Sequence, residues 1–140
     1  MPYKVQPFYN LDAAVGAGKP NSPADVLLVQ YLLVKVASQT VGRWNPPGSP
    51  LDVDGVYTPN LSDWILSYQN AVGTARDGVV DPQQQAHWKH WGTLISLNAS
   101  YRNHFGAARH DNLVTEPDCP AVLRGALSAG NAKPEMGTKS

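Results

Sequence analysis

The chain has 140 residues, enough for one domain that buries its core without disulfides or metal, since roughly 68% of the unfolded surface is covered at this size. Hydrophobic residues make up 42% and charged ones 16%, against about 25% charged in an ordinary domain, and Gly and Pro number 12 each, which excludes a disordered chain, a collagen and a coiled coil. Eleven basic and eleven acidic side chains cancel with no run of like charge, so the basic stripe of a nucleic-acid binder is missing.

Residues 1–20 lack the apolar stretch of about 7–15 residues that a secretory signal requires, and they show no period. An irregular segment wrapping the surface is expected there. Synthesis in the cytoplasm without a signal peptide follows, with any delivery to the periplasm or cell wall by another route.

The first helix is predicted over 21–38. Ser22 suits the cap, Pro23 the first turn and Asp25 the positive end of the helix. Val26, Val29, Leu33 and Val36 recur at helical spacing, widened by Leu28, Leu32 and Ala37, while Gln30, Lys35 and Tyr31 suit water. A helix this apolar has to be covered on several sides, so it is expected at the centre. It is too short to span a bilayer, and no membrane insertion is expected.

Three prolines and two glycines between 42 and 50 exclude regular structure in the following loop. A second helix fits 59–72, with Leu61, Trp64, Ile65, Tyr68 and Val72 on one face, and a third fits 82–105, opened by Asp81 and Pro82 and weakened at Gly92. A short fourth helix is predicted over 121–129, followed by a frayed tail. Cys119 is the only cysteine, which rules out an internal disulfide and a thiolate zinc site and leaves a buried or merely tolerated thiol.

Two segments echo each other. DGVYTPN begins at Asp54 and DGVVDPQ at Asp77, each giving a turn, an apolar pair able to bridge, and a proline opening a helix. With Val29-Gln30 and Tyr68-Gln69 in the preceding helices, the order resembles the small three-helix peptidoglycan-binding domain attached to bacterial and phage cell-wall hydrolases. The resemblance runs from about residue 24 to residue 91. It implies an all-α, compact three-helix bundle over 21–106, between an irregular segment 1–20 and an extension 107–140, and it implies non-catalytic binding of peptidoglycan glycan or stem peptide. The alternative is a protein-interaction adaptor or structural component of a phage particle or specialised secretion system. Truncation after Asp118 is expected to leave the helical core intact.

The candidate ligand-binding residues are Arg43, Trp44, Asn45, Asp54, Tyr57 and Asn60. Trp44, carried by PPGSP, either presents a flat surface beside Arg43, which can pair with a stem-peptide carboxylate, or folds back onto the core. Asp54 can bond sugar hydroxyls or cap its own turn, and Tyr57 can stack on a sugar ring or plug that turn. Asn60 can offer its amide to the same ligand or face water. Gln69 reads as a structural bond across its loop. His87 and His90 lie three apart but need a third protein ligand for a metal, so no metal or cofactor is expected. Glu116 and Glu135 look exposed, and no GxSxG, HExxH or Cys-His arrangement occurs, so no enzyme is expected.

Overall fold

A computed structural model of the chain describes residues 9–38, 44–74, 76–82 and 92–127. The fold is all-α: α1 (Pro23–Ala37), α2 (Pro59–Val72), α3 (Thr93–Phe105), α4 (Ala107–Asp111), a 3-10 turn (Leu113–Thr115) and α5 (Ala121–Ala126). Among the described residues the one β pairing is an isolated antiparallel bridge between Val15 and Val80.

α1 is the central element, packed by α2, α3 and α5. Every residue from Asp25 to Leu33 is buried, Gln30 and Tyr31 included, which corrects the expectation that these two face water. Pro23 starts the helix as expected, but Ser22 caps through its backbone carbonyl, which accepts the Val26 N–H at 2.9 Å, and not through its hydroxyl. Asp25, in the first turn, accepts the Asp12 and Ala13 N–H groups at 3.0 and 3.1 Å. A first-turn carboxylate thus ties down the segment before the helix.

α2 has the predicted bounds, Pro59 giving its first turn a fixed φ and Gly73 ending it in the left-handed region at φ 83°. α3 differs. Gly92 is extended (φ −89°, ψ 168°), so the helix opens after it at Thr93 and does not run through it. The first part of the predicted third helix, with His87, Trp88, His90 and Trp91, lies outside the described residues. Ser96 and Ser100 on α3 hold the buried Tyr68 hydroxyl of α2 at 2.8 and 2.9 Å.

Both ends contribute core. Tyr9, Leu11 and Val15 are buried, so this part of the N-terminal segment is built into the fold and not laid over it. Leu113, Cys119, Leu123 and Leu127 join the same cluster, and α5 packs on α1. Against the expectation that the chain beyond Asp118 is dispensable, Cys119, Leu123 and Leu127 are buried with the core. These apolar side chains close a face of α1 that α2 and α3 leave open. α4 and the 3-10 turn had no sequence signal, being too short for a period to show.

Candidate functional site: the turn and strap along α2

Each Asp-Gly turn is clamped by a glutamine from the preceding helix. Gln30 Oε1 accepts the Asp54 and Gly55 N–H groups at 3.0 and 2.8 Å. Its Nε2 donates to Asp54 Oδ1 at 3.2 Å and to the Val56 carbonyl at 3.1 Å. Asp54 Oδ1 closes the turn by accepting the Val56 N–H at 3.0 Å. Gln69 repeats this pattern on Asp77, Gly78 and Val79 with distances of 2.8–3.1 Å. A carboxamide suits the task because one group offers both an acceptor and two donors to a turn whose amides are otherwise orphaned. Gly55 and Gly78 hold φ 78° and 69°, which a side chain would strain.

The proline-rich loop lies along α2 as a strap. Trp44 Nε1–H donates to Ser67 Oγ at 2.9 Å, Ser67 Oγ–H donates to the Asn45 carbonyl at 3.2 Å, Trp64 Nε1–H donates to the Ser49 carbonyl at 2.8 Å, and Asn60 Nδ2–H donates to the Pro50 carbonyl at 2.9 Å. Serine and tryptophan donors on the helix thus satisfy the carbonyls of a segment in which proline breaks any regular ladder. The strap and the first turn bring Trp44, Asn45, Asp54, Tyr57 and Asn60 to α2 and the turn that enters it, while Arg43 lies outside the described residues.

Their roles divide. Trp44 is only 4% exposed and meets Trp64 and Tyr68 edge-on at 5.9 and 5.1 Å, so it folds back onto the core and displays no surface to a ligand. Tyr57 is half-buried, its hydroxyl paired with Ser62 Oγ at 2.7 Å. Asn45 and Asp54 are exposed, Asp54 with one oxygen committed to its turn. From 44 to 74 there is no Lys, Arg or His, and Asp52, Asp54 and Asp63 are all exposed. This face offers carboxylates, amides and hydroxyls. What the sequence reading missed is Gln30. The signal was present, since a glutamine precedes each Asp-Gly turn.

A second polar group lies where α1 meets the C-terminal part. Glu116, 4% exposed and so not the surface residue expected, takes a bidentate pair from Arg109 at 2.6 and 3.0 Å. Arg109, and Lys35 with it, hold the Glu116 carboxyl below the ordinary carboxylate range against the effect of burial. Lys35 pairs with Asp118 at 2.8 Å, and Asp118 also accepts the Tyr31 hydroxyl at 2.7 Å. The Lys35 and Arg109 cations lie 5.0 and 4.7 Å from the centre of the Phe105 ring. Each charge here has a partner, so the cluster fastens the extension to α1. Burial pushes the Cys119 thiol up, as suits an inert thiol. Among the described residues no three His, Cys, Asp or Glu side chains are placed to hold a metal ion, and no helix is long and apolar enough to cross a membrane. Comparison with family models, with curated proteins and with solved structures gives no match.

Proposed function

We propose that this chain binds bacterial cell wall without catalysis, using the exposed strap and turn along α2. The observation that supports this reading is the repeated unit of helix glutamine, Asp-Gly turn and following helix, because that is the order of motifs in the peptidoglycan-binding resemblance. Asp54, Asn45 and Asn60 suit sugar hydroxyls and the amides or free amines of stem peptides, and a stem carboxylate is left to Arg43. Trp44 and Tyr57 act through the scaffold.

An adaptor would hold its partner by exposed apolar surface, and α5 is the element of the extension that could offer it. Leu123 and Leu127 are spent on the chain's own core and Val122 alone stands out, 66% exposed, so that feature no longer speaks for a partner. Co-sedimentation with purified insoluble peptidoglycan at low salt tests the wall reading. The wild type is expected in the pellet, and Asn45→Ala with Asn60→Ala is expected to reduce the bound fraction while the helical signal is unchanged. A wild type that stays in the supernatant ends the proposal, and a partner protein that co-purifies instead would restore the adaptor.

A further inference from the structure

We infer that the first Asp-Gly turn holds an open backbone edge at Tyr57 and that this edge takes the stem peptide of the wall, a step that rests on the wall reading above and names the part of the polymer bound. The two turns align residue for residue, DGVYTP over 54–59 and DGVVDP over 77–82, so Val56 corresponds to Val79 and Tyr57 to Val80. Their glutamine clamps match, but what lies over them does not.

The second turn is covered by the N-terminal segment. Val80 N–H donates to the Val15 carbonyl at 2.9 Å, and the Val80 carbonyl accepts the Val15 N–H at 3.0 Å, an antiparallel bridge of one residue on each side. Gly16 follows and lies against Val79. Under this cover Val80 is fully buried and Val79 half-buried. At the first turn the cover is missing. Val56 is 57% exposed, Tyr57 is half-buried, and among the described residues neither the N–H nor the carbonyl of Tyr57 has a hydrogen-bond partner. The Tyr57 side chain is already settled against Ser62, so its backbone is what a ligand finds. An extended residue carries its N–H and C=O on one edge, and a one-residue bridge asks for nothing more.

The cover of the second turn shows what kind of chain fits. Gly16 has φ 150°, a conformation that L side chains rarely adopt, and a Cβ there would lie 2.8 Å from Val79 Cγ2 and 3.0 Å from the Gly78 carbonyl oxygen. A D-residue takes positive φ as readily as an L-residue takes negative φ, and its side chain leaves the backbone on the opposite side. A strand crossing the first turn in the same way needs glycine or a D-residue after the one paired with Tyr57. Stem peptides meet this demand, because their diamino acid is followed by D-alanine. The surroundings suit the diamino acid as well. Asp52, Asp54 and Asp63 are exposed and no Lys, Arg or His occurs from 44 to 74, so a free side-chain amine meets carboxylates and no competing cation. The diamino acid then pairs with Tyr57, and D-alanine lies beside Val56.

The test is NMR of the full chain with a synthetic N-acetylated stem, L-Ala-γ-D-Glu-L-Lys-D-Ala, beside its diastereomer ending in L-Ala and beside glycan strands stripped of peptide. Expected are shifts at the Val56 and Tyr57 amides, a several-fold rise in exchange protection of the Tyr57 N–H at saturating peptide, and no change at Val80, whose bridge is already made. The L-Ala diastereomer should bind several-fold more weakly. Val56→Lys brings a cation to the edge and should weaken the stem several-fold with thermal unfolding unchanged, and the wild-type arms do not depend on that variant. A wild type that pellets with whole wall while Tyr57 ignores the tetrapeptide, or answers to stripped glycan instead, overturns this inference and leaves the wall reading standing. Equal binding of the two diastereomers points to a protein strand and overturns the stem assignment. A chain that neither pellets nor answers the peptide ends both.

Discussion

The Gln30 and Gln69 turns use the same five hydrogen bonds, yet they stand in different surroundings. Gln30 reaches 24 residues ahead, past a long strap, to a turn whose Asp54 is exposed. Gln69 reaches 8 residues, adds a bond to Thr93 at the start of α3, and holds a turn whose Asp77 is exposed like Asp54 but whose Gly78 is buried where Gly55 is half-buried. Thr93 in turn meets Thr74 at 3.1 Å, and Val80, just past the second turn, carries the bridge to Val15 at 3.0 and 2.9 Å. One device is used twice, once to present a turn at the surface and once to join three parts of the chain. The second clamp should carry more of the stability, and the first is freer to carry function.

The strongest way to break this comparison is to ask whether the clamps suffice without the extension. A chain ending at Asp118 keeps both clamps but loses the buried Cys119, Leu123 and Leu127. Each buried leucine contributes about 2–5 kcal/mol, and a domain of this size has only about 5–15 kcal/mol in all. Loss of cooperative thermal unfolding is expected, read by circular dichroism. A truncated chain that still melts cooperatively would mean that α1 does not need its α5 cover.

Next come the clamps themselves. Gln69→Ala orphans the buried Gly78 N–H, the part-buried Asp77 N–H and the Thr93 hydroxyl contact, and should cost about 3–4 kcal/mol. Gln30→Ala orphans a turn that water can reach, and about 2–3 kcal/mol is expected. Denaturant unfolding of both variants gives the order directly, and equal losses would remove the distinction drawn above. The glycines sharpen it in the opposite sense. A Cβ at Gly55 would lie 3.2 Å from the Pro23 carbonyl, whereas at Gly78 the nearest atom is 3.6 Å away. Gly55→Ala should therefore cost about 1–2 kcal/mol and Gly78→Ala about 1 kcal/mol, so backbone strain and clamp burial rank the turns differently.

Much of the middle of the chain was legible because its signals are local. Pro59 and Gly73 bracket α2, Pro23 opens α1, and the apolar period names the faces that are buried. Part of what escaped depends on partners far along the chain. Gln30 looked solvated because its turn lies 24 residues away, and Asn98 looked ordinary because the backbone it grips is 89 residues away. Glu116 looked exposed because nothing local announces Arg109 folding back on it. Trp44 in a proline-rich loop had two readings, and only the position of Ser67 and Trp64 on α2 decides between them. Of the candidate site, the residues at the start of α2 were found from the turn motif, while their division into scaffold and free groups needed coordinates.

The smallest expected effect separates the extension from the clamps by pH. Arg109 holds the Glu116 carboxyl below its ordinary range, so Glu116 binds its proton less readily folded than unfolded. Its contribution is complete above the unfolded carboxylate value of about 4.3 and is lost as pH falls through the folded value. Glu116→Gln keeps the shape and one acceptor oxygen but cannot titrate. The wild type should lose stability along this acid limb, and the variant should be flatter there, with its deficit largest near neutral pH. The Asp118 carboxyl, also held below its ordinary value, keeps part of this limb in the variant, so a stability curve taken from about pH 7.5 to pH 3 should show a shallower acid slope in Glu116→Gln than in the wild type. An acid limb of the same steepness in both proteins would show that the bidentate pair with Arg109 holds geometry without coupling the extension to protons.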